Sequence, residues 1–200
     1  MNIAAIILAA GKSSRFEIGH KLLAKLNGVT LIRHVAAVLD HSRLSEIILV
    51  TGTNSKDVIA AAGAGRWRSI ENPNPGDGLA SSLRLGIQNI DAAADGVLIA
   101  LADMPGISTG LIATLLDAFD ESRGRSIVFP VGTGGQRGHP VIWPKSCFCD
   151  LSKLSGDTGG KALIEKQKDL WRPVPYEESG AFADIDTCHD LAVFPRTPKV

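Results

Sequence analysis

The chain has 200 residues, enough for one domain with a sizeable core that needs no disulfide or metal staples. Hydrophobic residues make up 44% and charged residues 21%, and 21 Lys plus Arg balance 21 Asp plus Glu, so the formal net charge is zero. That balance argues against a nucleic-acid-binding surface, which carries a basic excess, and leaves any attraction for phosphate to local placement of charge.

The apolar run at 3–10 is far shorter than the ~20 residues that cross a bilayer, and no basic residue precedes it. It reads as a buried strand, and no membrane contact is expected. Cys147, Cys149 and Cys188 are odd in number and follow no secretion signal, which points to reduced thiols in the cytoplasm. Cys147-x-Cys149 lacks a second pair to complete a metal site.

Strand-like and helix-like stretches then alternate. A strand is expected at 3–8, and a helix at 30–40 from the spacing of Leu31, Val35, Val38 and Leu39. A strand at 47–51, a helix at 55–62, an extended piece at 68–71 and a helix at 79–90 follow. Residues 97–101 form another unbroken apolar strand, and 108–119 a helix with Ser108 as its N-cap. Further on, strands at 126–130 and 140–143 flank a Gly-rich turn at 131–138. A helix at 158–168, an extended piece at 171–175 and a short helix from Asp190 complete the chain. Apolar strands separated by helices predict an α/β fold with a mainly parallel sheet covered on both faces, and right-handed crossovers make it a three-layer α/β/α sandwich.

Leu8-Ala9-Ala10-Gly11-Lys12-Ser13-Ser14-Arg15 follows the first strand directly. Ligands of open α/β sheets bind beyond the carboxyl ends of strands, and small residues let backbone N–H groups approach a phosphate. Lys12, Arg15 and Lys21 supply positive charge. The Walker and dinucleotide glycine patterns are both absent, and a plain surface turn with solvated basic residues is the alternative. The strand at 97–101 runs into Ala102-Asp103-Met104-Pro105, which puts a carboxylate at a strand's carboxyl end. Asp103 suits magnesium, which favours carboxylate and phosphate oxygens; its alternative is a turn or N-cap role. In Asp184-Ile185-Asp186-Thr187 an extended backbone would set Asp184 and Asp186 on one face, with a helix-start role as the alternative.

The run from Leu8 to Phe16, with Lys21-Leu22-Leu23 after it, resembles the signature loop of nucleotidyltransferases with a Rossmann-like nucleotide-diphospho-sugar transferase fold. The resemblance implies that the backbone of Leu8, Ala9, Ala10 and Gly11 holds base and phosphates, while Arg15 and Lys21 contact the triphosphate. It also implies catalytic roles for Arg15, Lys21 and Asp103, with Mg²⁺ held by Asp103 and Asp186, or by Asp184 as the alternative second ligand. Phe16-Glu17-Ile18-Gly19-His20 departs from the family's shorter path, and Glu17 must point away from a triphosphate for the loop to hold one.

Three further segments resemble molybdenum cofactor cytidylyltransferase. The stretch from Asn72 to Arg84, containing Gly78, Ser81 and Ser82, matches the part that contacts base and ribose. The stretches Gly135 to Pro140 and Leu154 to Lys161 supply Arg137, Gly138, His139, Asp157 and Lys161 for the acceptor, although His139 also suits a purely structural role. A single domain is implied, with nucleotide bound by about 1–107 and acceptor by about 108–200.

The implied reaction is transfer of CMP from CTP to the terminal phosphate of molybdopterin, with release of pyrophosphate and a molybdenum hydroxylase as the eventual recipient. The alternatives are a guanylyltransferase for the same cofactor, which usually has Gly where Ala10 stands, a sugar- or polyol-phosphate cytidylyltransferase, and a non-catalytic cofactor carrier.

Overall fold

The computed structural model describes residues 1–195 apart from 12, 14, 18, 53, 54 and 157–159, and Lys161 through its backbone only. Its elements run β1 (Ile3–Ala9), β2 (Lys25–Leu26), β3 (Val29–Thr30), α1 (Leu31–Asp40), β4 (Glu46–Thr51), α2 (Ser55–Ala62), β5 (Trp67–Glu71) and α3 (Leu79–Asn89). The second half adds β6 (Gly96–Leu101), α4 (Thr109–Glu121), β7 (Ile127–Val131), β8 (Val141–Pro144), α5 (Phe148–Leu151), α6 (Lys161–Lys166), β9 (Trp171–Pro175) and α7 (Cys188–Val193).

One sheet has the order β5-β4-β1-β6-β8-β7-β9. β5, β4, β1 and β6 are parallel; β8 runs antiparallel to both β6 and β7; β9 is parallel to β7. Every residue of β1 is buried, because helices cover both faces of the sheet. Ile3, Ala5 and Ile7 pack with α1, α2 and α4, through side chains such as Val35, Val58 and Leu115. Ala4, Ile6 and Leu8 pack with Leu83 of α3, Leu151 of α5 and Ile164 of α6 on the other face. The three-layer sandwich follows from this period-two alternation.

Local signals set the ends of several helices. Ser108 Oγ accepts from Leu111 N at 3.1 Å and caps α4. Thr187 and Asp190 form a capping box, so α7 starts at Cys188 and not at the expected Asp190, which occupies its third position. The helix expected across 158–168 is shorter: α6 ends at Lys166 and a 3-10 turn, Lys168–Leu170, follows. Residue 158 lies outside the described residues. Asn27-Gly28 closes the β2–β3 hairpin with positive φ at both positions, 54° and 84°. Among the described residues, no helix is long and apolar enough to cross a membrane.

Candidate active site

Neighbouring parallel strands β1 and β6 deliver their following loops to the same edge of the sheet. Ala102 N donates to Leu8 O at 3.2 Å, which carries the pairing one step past β6 and fixes Asp103 beside the loop after β1. A third segment, far along the chain, is tied in by backbone alone: Ile185 N donates to Asp103 O at 3.0 Å. Ile185 is fully buried, so Asp184 and Asp186 on either side of it both line the cleft. This crossing needs glycine. A Cβ on Gly106 would lie 2.2 Å from the carbonyl oxygen of Gly180, in the turn that leads to Asp184.

The resulting cleft of about 500 Å³ is lined by Leu8, Ala9, Ala10, Gly11, Arg15, Lys21, Gly78, Ser82, Asp103, Asp184 and Asp186, among others. Lys21 Nζ donates to Asp103 Oδ2 at 2.7 Å and to Asp186 Oδ1 at 2.8 Å. Arg15 reaches Asp186 Oδ2 at 2.7 Å from a largely exposed position. Burial pulls the Lys21 ammonium down, but Asp103 and then Asp186 outweigh it and its pKa is raised. Lys21 is therefore a fixed cation. Asp184 is exposed at the cleft edge and makes no ion pair among the described residues.

The longer path between Arg15 and Lys21 has a structural use. Phe16 is buried with Leu31, Ile185 and Phe194, so it anchors the loop against the segment that carries Asp186. Glu17 Oε2 accepts from Cys188 N at 3.0 Å at the start of α7, and those hydrogen bonds hold its carboxyl below the usual range. The carboxylate thus has its partner on α7. Ser13 Oγ accepts from Lys21 N at 3.1 Å and steadies the lysine.

The opposite wall comes from the turn before α3. Gly78, with φ of 85°, opens the helix. Ser81 and Ser82 are both nearly buried, but only Ser82 is among the residues lining the cleft. Asn72, unassigned from the sequence, is buried at 4% exposure and bonds to both serine hydroxyls. Its signal was a polar residue between an edge strand and a Gly/Pro-rich turn.

A second, largely apolar pocket of about 290 Å³ shares Leu8, Leu79 and Leu101 with the first and is lined also by Arg137, Gly138 and His139. Arg137 pairs with Glu165, and its guanidinium lies 5.1 Å over the Trp171 ring. Burial lowers the His139 pKa, opposed by a hydrogen bond with the Ile99 backbone. Among the described residues, Arg137 Nη1 and His139 Nδ1 are buried without hydrogen-bond partners, an arrangement that polar atoms of a bound molecule would complete. Asp157 and the Lys161 side chain lie outside the described residues. Cys147 is buried and Cys149 exposed, so the pair does not face one centre.

Among the described residues, no three or more His, Cys, Asp or Glu side chains gather to cage a metal. Asp103 and Asp186 do converge on one cation, and Asp103 Oδ1 is buried with no hydrogen-bond partner among the described residues. That donor set fits magnesium, which takes one or two carboxylates together with substrate phosphates and keeps several waters.

This geometry is that of a nucleotidyltransferase, and comparison with known proteins agrees. The MobA-like NTP transferase domain is matched over residues 5–170, and the chain belongs to that family. It is 33% identical to a probable molybdenum cofactor guanylyltransferase of Haloferax mediterranei, over 94% of this chain and 90% of that one. It is 27% identical to nicotine blue oxidoreductase of Paenarthrobacter nicotinovorans over 94% of each. A nucleotidyl transferase from Methanothermobacter thermautotroptrophicus superposes with a TM-score of 0.79 at 26% identity, covering 96% of this chain and 94% of that one.

Proposed function

We propose that the chain is a Mg²⁺-dependent cytoplasmic enzyme that transfers CMP from CTP to the terminal phosphate of a molybdopterin-type acceptor and releases pyrophosphate. The observation that carries this reading is the convergence of Arg15, Lys21, Asp103 and Asp186 at the carboxyl ends of β1 and β6. The attacking phosphate is already anionic, so no general base is needed, and rate comes from positioning and charge neutralisation. Lys21 and Arg15 take up charge on the departing pyrophosphate. Asp103 and Asp186 would hold the metal, which supplies Lewis-acid neutralisation of phosphate oxygens when bound. Leu8, Ala9, Ala10 and Gly11 pass along the nucleotide, with Gly78, Ser81 and Ser82 on the base side.

Arg137, Gly138 and His139, with Asp157 and Lys161, are assigned to the acceptor. Arg137 is already paired with Glu165 and His139 is held neutral by burial, which suits a planar uncharged ring better than a phosphate. The nucleotide side then falls in about residues 1–107 and the acceptor side in about 108–200, with a molybdenum hydroxylase receiving the product. One observation favours a second reading with GTP as donor: the relative at 33% identity is named as a guanylyltransferase. The test is pyrophosphate release by purified protein with each nucleoside triphosphate and molybdopterin. Release that needs both substrates and magnesium supports the reading, and nucleotide binding without turnover would make the chain a carrier.

A further inference from the structure

Two kinds of contact hold the loop from Arg15 to Lys21 against the segment that carries Asp186, and they differ in chemistry. The first is charge: Arg15 lies 2.7 Å from Asp186 Oδ2, and Lys21 Nζ lies 2.8 Å from Asp186 Oδ1. The second uses none of the charged groups of the cleft. Phe16 shares a small core with Ile185, the residue before Asp186, and with Leu26, Leu31 and Phe194. Glu17 Oε2 accepts from Cys188 N at 3.0 Å, just beyond Asp186, and the Cys188 thiol adds a second hydrogen bond. The acceptors belonging to α7 itself are engaged elsewhere. Thr187 Oγ1 accepts from Asp190 N at 3.1 Å, and Asp190 Oδ2 accepts from Asp186 N at 3.1 Å and Thr187 N at 2.8 Å. The capping box thus leaves Cys188 N for a partner from outside the helix, and Glu17 supplies it. Neither Phe16 nor Glu17 is among the residues lining the cleft.

We propose that Glu17 is a positioning residue for the triphosphate, acting through Arg15 and Lys21 on either side of it. The inference rests on the nucleotidyl-transfer reading. A triphosphate draws both cations toward its oxygens, and a cation shared with phosphate holds Asp186 less firmly. The charged link therefore slackens when the spacing of loop and carboxylate matters most, since a misplacement of about 1 Å can cost about 100-fold in rate. The bond between Glu17 and Cys188 N contains no group that phosphate or metal takes up, so it keeps the loop in register throughout. A carboxylate between two phosphate-binding cations then has a use: it engages α7 and leaves the cations to the ligand.

The test is calorimetric binding to the full chain with magnesium present. One probe is whichever of CTP and GTP the wild type binds more tightly, and the other is inorganic tripolyphosphate, which has neither base nor sugar. Glu17→Ala should weaken both about 3- to 10-fold, the effect of one hydrogen bond. Glu17→Gln keeps an acceptor for Cys188 N and should stay within about twofold of wild type. Cys188→Pro removes the N–H from the first position of α7, where proline is tolerated, and Thr187 before it is already extended with φ of −129° and ψ of 165°. It should match Glu17→Ala, and the double variant should lose no more than either alone, because one bond is removed in each case. Tighter binding in both Glu17→Ala and Glu17→Gln would mean that the carboxylate acts by repulsion, and overturns the inference. Additive losses in the double variant overturn it as well. So does a lowered Tm with tripolyphosphate affinity unchanged well below it, which would leave Glu17 a part of the fold alone. A wild type that binds neither nucleotide overturns the nucleotidyl reading and this inference together.

Discussion

The Lys21 ammonium lies 2.7 Å from Asp103 Oδ2, which joins the loop after β1 to the loop after β6 through one charged hydrogen bond. The same nitrogen lies 2.8 Å from Asp186. A single cation therefore holds together the two carboxylates that suit a metal, and a triphosphate bound with a metal would compete for both sides of the arrangement. The balance among these charges can be tested one residue at a time.

Asp103→Asn and Asp186→Asn should each lower turnover by about 100-fold or more, the scale seen when a charge-stabilising group is removed from a reacting centre. Asp184→Asn should cost only a few-fold, since Asp184 is exposed at the cleft edge and pairs with no described cation. Steady-state rates with saturating nucleotide and acceptor decide the order. If Asp184→Asn is the most damaging of the three, the second carboxylate is misassigned by one alternation.

Lys21→Met should weaken use of the triphosphate far more than binding of the acceptor. It should also increase Mn²⁺ binding to the free protein, measured by electron paramagnetic resonance, because two carboxylates lose their internal counter-ion. Weakened binding of both substrates with no change for the metal would make Lys21 a structural strut.

Much of the fold was legible because it is written in local pattern. β1 reads as a continuous apolar run since both its faces are covered, and α2 and β9 fall where the spacing put them. The position of β8 between β6 and β7 has no local signature, as it depends on pairing between distant strands. The meeting of Arg15, Lys21 and Asp103 at one cleft was foreseeable from loops that follow parallel strands, whereas Asp186 was placed with them only by the family resemblance. The direction of Glu17 was not, since its partner Cys188 is 171 residues away in sequence. Asn72 escaped notice because a buried amide looks like any turn residue until its partners are known.

Gly106→Ala should damage activity without touching a reacting group. The new methyl would collide with the Gly180 carbonyl and push the Asp184–Asp186 segment away from Asp103. Overpacking of this kind costs ~1–3 kcal/mol, which for a chain of this size lowers Tm by about 3–9 °C. Thermal unfolding combined with rates measured well below Tm separates the two effects. Full activity in a destabilised variant would show that the crossing serves the fold alone.

Acid should weaken the fold partly through His139. Burial holds its pKa below the ordinary 6.5, so between those two values the unfolded chain binds a proton that the folded chain refuses. Stability therefore rises with pH across that window, is complete above about 6.5, and falls as pH drops through it. Urea unfolding at about pH 8 and about pH 5 should show a smaller acid loss in His139→Gln than in wild type. His20 is also lowered, by burial first and then by Lys21, so the loss should shrink without vanishing.

Preference between CTP and GTP should depend on Ala10. This residue lines the cleft beside the loop backbone, and on its other side Gly52 leaves little room: a Cβ there would lie 3.0 Å from Ala10 O and 3.4 Å from Ala10 Cβ. The loop is thus backed by the end of β4 and cannot shift away from a larger base at no cost. A methyl at position 10 narrows the space relative to glycine and should disfavour the purine. Selection by one methyl-sized group is worth only ~1–3 kcal/mol, so discrimination should be strong but incomplete. A competition between CTP and GTP, run with wild type and Ala10→Gly, reads this directly. The expected result is a wild-type preference for CTP that relaxes in the variant while total turnover persists. An unchanged ratio would assign selectivity to the base-side donors near Ser82. A wild-type preference for GTP would remove the cytidylyl assignment and leave nucleotidyl transfer itself intact, in line with the guanylyltransferase name of the relative from Haloferax mediterranei.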